Sequence, residues 1–230
     1  MYNYFSAMQI KWHQKLISYF YPITISKIPS NYSPDLCLQL ENNKLVLNTT
    51  NANYSFGNLH TVFQEAFRAI NLQNISVNKL LILGLGTGSI IDIIENEYQK
   101  FPTITAIEID EKIIELFNTL NNKPQSEITI INDDAFNAVK ELKSGYDLIV
   151  VDLFIDMQMP SPIYNVDFLS NLSTLITPSG IVLINTMQNS EQDKLLFNEF
   201  KINALQYFTD IQTQPIMQLN NVLVLSNPRK

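Results

Sequence analysis

The stretch Leu80–Glu95, LLILGLGTGSIIDIIE, limits the possible folds more than any other part of the chain. An unbroken apolar run ends in three glycines at alternate positions, Gly84, Gly86 and Gly88, and an apolar-periodic segment follows. A short run with no polar face reads as a strand covered on both sides. Glycine lets such a strand turn sharply and lets a ligand approach the backbone. A strand buried on both faces needs helices above and below it, which commits the chain to an α/β layer arrangement.

The rest of the chain repeats that demand. KLLILGLG, TITAIEID, EITIIND, YDLIVVDLF and GIVLINTM are short apolar runs separated by helical patterns such as DEKIIELFNTL, AFNAVKEL and PIYNVDFLSNLSTLI. This alternation predicts a parallel sheet between helical layers. SEQDKLLFNEFKINALQYF predicts a last helix, and DIQTQPI and NNVLVLSN, close in sequence, predict an antiparallel pair. The expected fold is α/β: a Rossmann-like, mostly parallel seven-stranded sheet with a terminal antiparallel hairpin. Upstream, Phe5, Met8, Trp12, Leu16 and Phe20 recur at helical spacing, so a helix is expected over about residues 1–20. Pro22, Pro29 and Pro34 then break the chain. LCLQLENNKLVLNTT alternates as a β-hairpin, and HTVFQEAFRAI reads as a helix. The pattern changes near Ile75 to Asn78. This divides the chain into a helix-and-hairpin extension, residues 1–77, and a ligand-binding Rossmann-like domain, residues 78–230.

Open α/β sheets bind ligands beyond the carboxyl ends of their strands, and several polar residues fall there. Gly84, Gly86 and Gly88 would admit a ligand to the backbone and to the open N–H donors of the next helix. Glu108 closes the following strand, where an acid accepts from ribose hydroxyls, and Ile109 follows it into the site. Asp133 or Asp134 could accept from an adenine amino group, with the Ala135 N–H facing the ring, and Asp133 also reads as the N-cap of AFNAVKEL. Asp152 closes the fourth strand, where it would act as base for an amine nucleophile or orient its loop. His60 begins a helix expected to face the cleft, as a ligand contact or a surface cap. The glycine spacing is G-x-G-x-G with Ser89 next, not the G-x-G-x-x-G of dinucleotide sites. With Asp133 and Asp134, that argues against an NAD-dependent oxidoreductase.

These segments together, LILGLGTGS, AIEIDEKII, INDDAF and YDLIVVDLF, resemble the S-adenosylmethionine-dependent (class I) methyltransferase fold, and within it the spermidine synthase (aminopropyltransferase) family. The resemblance runs from roughly Leu36 to Met187. It implies a transferase that binds S-adenosylmethionine or its decarboxylated form through Gly84, Gly86, Gly88, Glu108, Ile109, Asp133, Asp134, Ala135 and Asp152. Asp152 would be catalytic, and His60 and Asp156 would contact a small-molecule acceptor. The chain departs from the family pattern in several places. Thr87 stands where an Asp is usual in the glycine turn. Leu59-His60-Thr61 stands for Tyr-His-Glu, and Thr49 or Thr50 for a glutamine near the end of the hairpin. The second acid of the catalytic segment is displaced from position 155, which is Ile155, to Asp156. The donor site reads as retained and the diamine site as depleted, so putrescine should be a poor acceptor. The transferred group, methyl or aminopropyl, stays open.

Charge and composition bound the partners. The formal net charge is −7, with Lys and Arg scattered singly, so nucleic acid is not an expected partner. No apolar run reaches the 18 residues of a membrane span. Cys37 is the sole cysteine, which excludes an intrachain disulfide and fits a cytoplasmic location, and the two histidines have no ligand-like spacing for a metal. The aromatic N-terminal stripe suggests packing or a homodimer contact. A rival to the enzyme is a non-catalytic nucleoside-binding or interaction homologue. Met157 and Met159 filling the cleft beside Asp152 would favour that rival.

Overall fold

The computed structural model describes residues 11–32, 36–48, 58–120, 124–154, 158–216 and 220–229. In the N-terminal part, the described helix is α1 (Trp12–Ile17), within the longer helix expected, whose first ten residues lie outside the described ones. Three strands follow, not two: β1 (Ile23–Lys27), β2 (Cys37–Glu41) and β3 (Lys44–Asn48) form an antiparallel sheet in that order. β1 corrects the expectation of a simple hairpin. Its five residues lie between Pro22 and Pro29 and none is fully buried, so no apolar run marks it. The β2–β3 turn is made by Asn42 and Asn43 at φ 48° and 60°, the left-handed values a two-residue hairpin requires and asparagine tolerates.

After α2 (Asn58–Ala69) comes the central sheet. Its strands are β4 (Lys79–Leu83), β5 (Thr103–Glu108), β6 (Ile128–Asn132), β7 (Tyr146–Val151), β8 (Ile176–Met187), β9 (Phe208–Pro215) and β10 (Asn220–Pro228). Their spatial order is β6-β5-β4-β7-β8-β10-β9. The first five are parallel, and β10 is antiparallel to both β8 and β9. The order reverses between β4 and β5 on one side and β7 on the other, and at such switch points open sheets leave a crevice for ligand.

Side chains alternate across each strand, and the two faces have separate cores. Leu81, Leu83, Ile149, Val151, Val182 and Ile184 pack against α5 (Ala135–Glu141), α6 (Val166–Leu175) and α7 (Glu191–Ala204). Leu80, Ile82, Ile104, Ala106, Leu148 and Val150 pack against α2 and against α3 (Ser89–Asp92), which runs on as a π-turn over Ile93–Glu97. Val62, Phe63, Ala66 and Phe67 bring α2 fully into the sheet's core, although it precedes the change of sequence pattern. The front sheet packs through Ile28, Leu36, Leu38 and Leu47 onto Ile113 and Leu116 of α4 (Glu111–Leu120). This brings the β1–β2 loop to the carboxyl ends of the central strands.

Candidate active site

The turn after β4 is shaped by close approach. Gly84 has φ 91°, and a Cβ there would sit 2.2 Å from the carbonyl oxygen of Asp152. The chain crosses at that point because Asp152 N–H donates to the Leu83 carbonyl at 2.8 Å and Gly84 N–H to that of Ile107 at 3.0 Å. Strands β5, β4 and β7 are thus stitched together one residue beyond their ends, and the residues after them point into one cleft.

That cleft is lined by Gly84, Gly86, Glu108, Ile109, Asp133, Asp134, Ala135 and Asp152, as expected from the sequence, and also by Tyr32, Asp110, Phe136, Leu153 and Phe154. Gly88 is not part of the lining. It sits buried at φ 90° as the residue before α3. His60 corrects the expectation that it faces the cleft. Its Nε2 lies 3.3 Å from Glu97 Oε1 at the far end of the π-turn, and Gln64 donates to the same oxygen. Asp156 lies outside the described residues, as do Thr49 and Thr50.

Glu108 is buried, and its two oxygens accept from the Gly86 and Asp110 N–H groups at 3.1 Å each. Burial pushes its pKa up to about 7, against the opposing pull of those two donors. Asp110 is also buried. Its Oδ1 accepts from Lys112 N–H at the start of α4, and its Oδ2 accepts from the Ser30 hydroxyl. Ser30 in turn accepts from Tyr32 N–H, so one acid ties the β1–β2 loop to the rim of the cleft. Asp133 and Asp134 divide their roles otherwise than expected. The helix cap is Asp134, whose Oδ1 accepts from Phe136 N–H at 2.8 Å; Asp133 accepts from Asp134 N–H. The extended backbone of Asp134, at φ −68° and ψ 126°, is that of an N-cap residue.

Asp152 is half-buried just past the end of β7, with Oδ1 accepting from Asn185 Nδ2 at 3.0 Å. Burial raises its pKa to about 6, and the Asn185 hydrogen bond acts against that rise. Met159 does not fill the space beside it. Its sulfur accepts from Met187 N–H, and its side chain packs against the core that α5, α6 and α7 cover. Met157 lies outside the described residues.

Among the participants not expected from the sequence, three carry polar groups: Asp110, Asn185 and Tyr32. Asp110 carried a signal, an acid directly before an amphipathic helix. Asn185 carried one too, a polar residue inside the apolar run GIVLINTM. Tyr32 lies in a Pro- and Asn-rich loop and carried none.

Five carboxylates therefore converge on one cleft whose described lining holds no Lys, Arg or His. A glycine turn that brings the backbone to the cleft, acids at the ends of β5 and β7 and an acid pair after β6 suit a cationic nucleoside. The donor set fits a sulfonium better than an anionic ligand.

Comparison with known proteins agrees with this architecture. The chain resembles the crystal structure of spermidine synthase from Thermotoga maritima with a TM-score of 0.67 at 12% identity, over 89% of this chain and 74% of that one. It resembles human methyltransferase-like protein 13 in complex with SAH with a TM-score of 0.58 at 21% identity, over 74% of this chain and 82% of that one. Among curated relatives, a probable polyamine aminopropyl transferase of Bifidobacterium longum is 29% identical over 110 residues, covering 48% of this chain and 24% of that protein. Polyamine aminopropyltransferase 2 of Aquifex aeolicus is 32% identical over 117 residues, covering 46% of this chain and 23% of that protein. The chain thus spans about a quarter of the length of these two relatives. The family model of the spermine/spermidine synthase domain matches residues 62–219, from within α2 to the residue before β10. With that match over most of its length, the chain belongs to the spermine/spermidine synthase domain family.

Proposed function

We propose that this chain is a group transferase whose donor is decarboxylated S-adenosylmethionine and whose acceptor is an amine. The observation that carries this reading is the cleft of five carboxylates without a cation among its described lining residues. S-adenosylmethionine carries a carboxylate that this lining would repel, and the decarboxylated form carries only positive charge. The names of the curated relatives point the same way.

Glu108 would accept from the ribose hydroxyls and Asp133 from the adenine amino group, with Ala135 N–H toward the ring. Ile109 and Phe136 would supply the apolar walls. Asp152 would take one proton from the acceptor's ammonium. When the donor is bound, its sulfonium offers an activated carbon: the acceptor nitrogen bonds to it, the C–S bond breaks with its electron pair on sulfur, and a neutral thioether leaves. The chain's own contribution is to orient the partners and to hold the proton on Asp152. We also propose a cytoplasmic homodimer.

A second reading, methyl transfer from S-adenosylmethionine itself, is favoured by Thr87, which replaces an acid usual in the family's glycine turn. Parallel calorimetry decides between the two. The expected result is binding of the decarboxylated form about tenfold or more tighter than S-adenosylmethionine, the scale of about 1.4 kcal/mol that one like-charge contact supplies. NAD should not bind. Tighter binding of S-adenosylmethionine would overturn the aminopropyl reading. With putrescine as acceptor, turnover should be weak, because Thr61 and Ile155 stand where the family pattern has acids.

A further inference from the structure

Asp152 does not stand alone at the end of its strand. β8 lies between β7 and β10, and the pairings Val151 with Ile184 and Asn185 with Val222 bring Asn185 beside both Asp152 and the start of β10. Asn185 Nδ2 donates to Asp152 Oδ1 at 3.0 Å, and Asn220 Nδ2 donates to Asn185 Oδ1 at 3.1 Å. Both asparagines are buried, in strands whose neighbouring interior residues, Leu183, Ile184, Val222 and Leu223, are fully buried and apolar. A leucine would fill either position with no polar group to satisfy. An amide pair that spans two strands and ends on a carboxylate needs a reason beyond packing.

The sense of the chain follows from chemistry. An ionised carboxylate only accepts, so Asn185 must present its NH₂ to Asp152. Its carbonyl oxygen then faces Asn220, which must donate. With Asp152 protonated, nothing would fix that order. We infer that Asn185 and Asn220 are positioning residues: the donor chain from Asn220 through Asn185 holds Oδ1 of an ionised Asp152 and leaves Oδ2 to receive the acceptor's proton. This rests on the reading of Asp152 as the base. The other titratable groups on the cleft are Glu108 after β5, Asp110 before α4, Asp133 and Asp134 before α5, and Tyr32 of the β1–β2 loop. Burial disfavours ionisation of Asp152, and among the described residues the Asn185 amide is the contact that favours it.

The test is a titration of Asp152 by infrared spectroscopy, its protonated carboxyl band assigned by its loss in Asp152→Asn. In Asn185→Leu the midpoint should rise from about 6 by about one pH unit or more, the size of a lost hydrogen bond to a charged group. Asn220→Leu should move it in the same direction by less, and Asn185→Gln, which keeps a donor, should bring it back. If Asn185→Leu fails to fold, Asn220→Leu and Asn185→Gln carry the test, with folding checked by circular dichroism. In assays with decarboxylated S-adenosylmethionine and a panel of diamines, the acid limb of kcat should move with the midpoint while the donor's KM stays unchanged. An unmoved midpoint in the folded variants overturns the relay. A moved midpoint with no turnover of any amine supports the relay and overturns instead the reading of Asp152 as base.

Discussion

Glu108 and Asp152 show how the sheet changes the chemistry of single residues. Both are carboxylates that burial holds above their ordinary range, at about 7 and about 6. In the unfolded chain they titrate near ~4, so the native state binds their protons more tightly. Their contribution to stability is fully present below about pH 4 and is lost as pH rises through 6 and 7. Each pH unit between the unfolded and folded midpoints is worth about 1.4 kcal/mol. Thermal melts between pH 4 and 8 should show this as a difference: Glu108→Gln and Asp152→Asn should gain stability relative to the parent as pH rises. Parallel curves for parent and variants would contradict it. Glu108→Ala should in addition weaken nucleoside binding by about 1.5–3 kcal/mol, as for hydrogen bonds to a charged group. An unchanged dissociation constant in a folded variant would remove Glu108 from the ribose site.

At the scale of elements, the turn after β4 is both the most legible feature and the least tolerant of change. Its glycines announced a strand, a turn and a helix, and Gly84 is where backbone and backbone nearly touch. Gly84→Ala meets the Asp152 carbonyl as well as a left-handed φ, whereas Gly145→Ala, at φ 117°, meets only the tip of Lys79 at 4.0 Å. Gly145→Ala should cost the backbone strain alone, about 1–2 kcal/mol. Gly84→Ala should cost clearly more in a denaturant titration and lose nucleoside binding with it; equal costs would mean that the crossing of β4 and β7 yields easily. The elements that escaped the sequence did so for physical reasons. β1 is short and half-exposed, so it has neither an apolar run nor a clean alternation. The cap before α5 falls on the second of two adjacent aspartates, a choice set by backbone angles that sequence does not display. Buried Glu95 accepts from Gln125 and Ser126 N–H groups and pins the approach to β6, a contact between residues 30 apart that no local pattern predicts. The central strands were legible because burial on both faces leaves an unbroken apolar run.

At the scale of the whole molecule, the N-terminal face bears on assembly. The end of α1 is fastened to the β2–β3 turn: Asn42 N–H donates to the Ser18 carbonyl and Asn43 N–H to the Ser18 hydroxyl. On that fixed platform Trp12, Leu16, Ile17, Tyr19, Phe20 and Tyr21 are exposed, Phe20 at 80% and Trp12 at 74%. The patch is also distinct in charge. Lys11, Lys15 and Lys27 occur before the first acid, Asp35, in a chain of net charge −7. Burying one such side chain is worth about 1.5–3 kcal/mol, and a two-fold interface counts each residue twice. Six residues per copy therefore exceed the roughly 4–15 kcal/mol that association costs. We expect a homodimer through this face. Light scattering at tens of micromolar should give twice the 26.4 kDa of one chain. Phe20→Glu places a charge in the middle of the contact and should yield a monomer, with nucleoside binding unchanged because Phe20 does not line the cleft. A monomeric parent protein would refute the interface. A dimer that survives Phe20→Glu would move it elsewhere on the molecule.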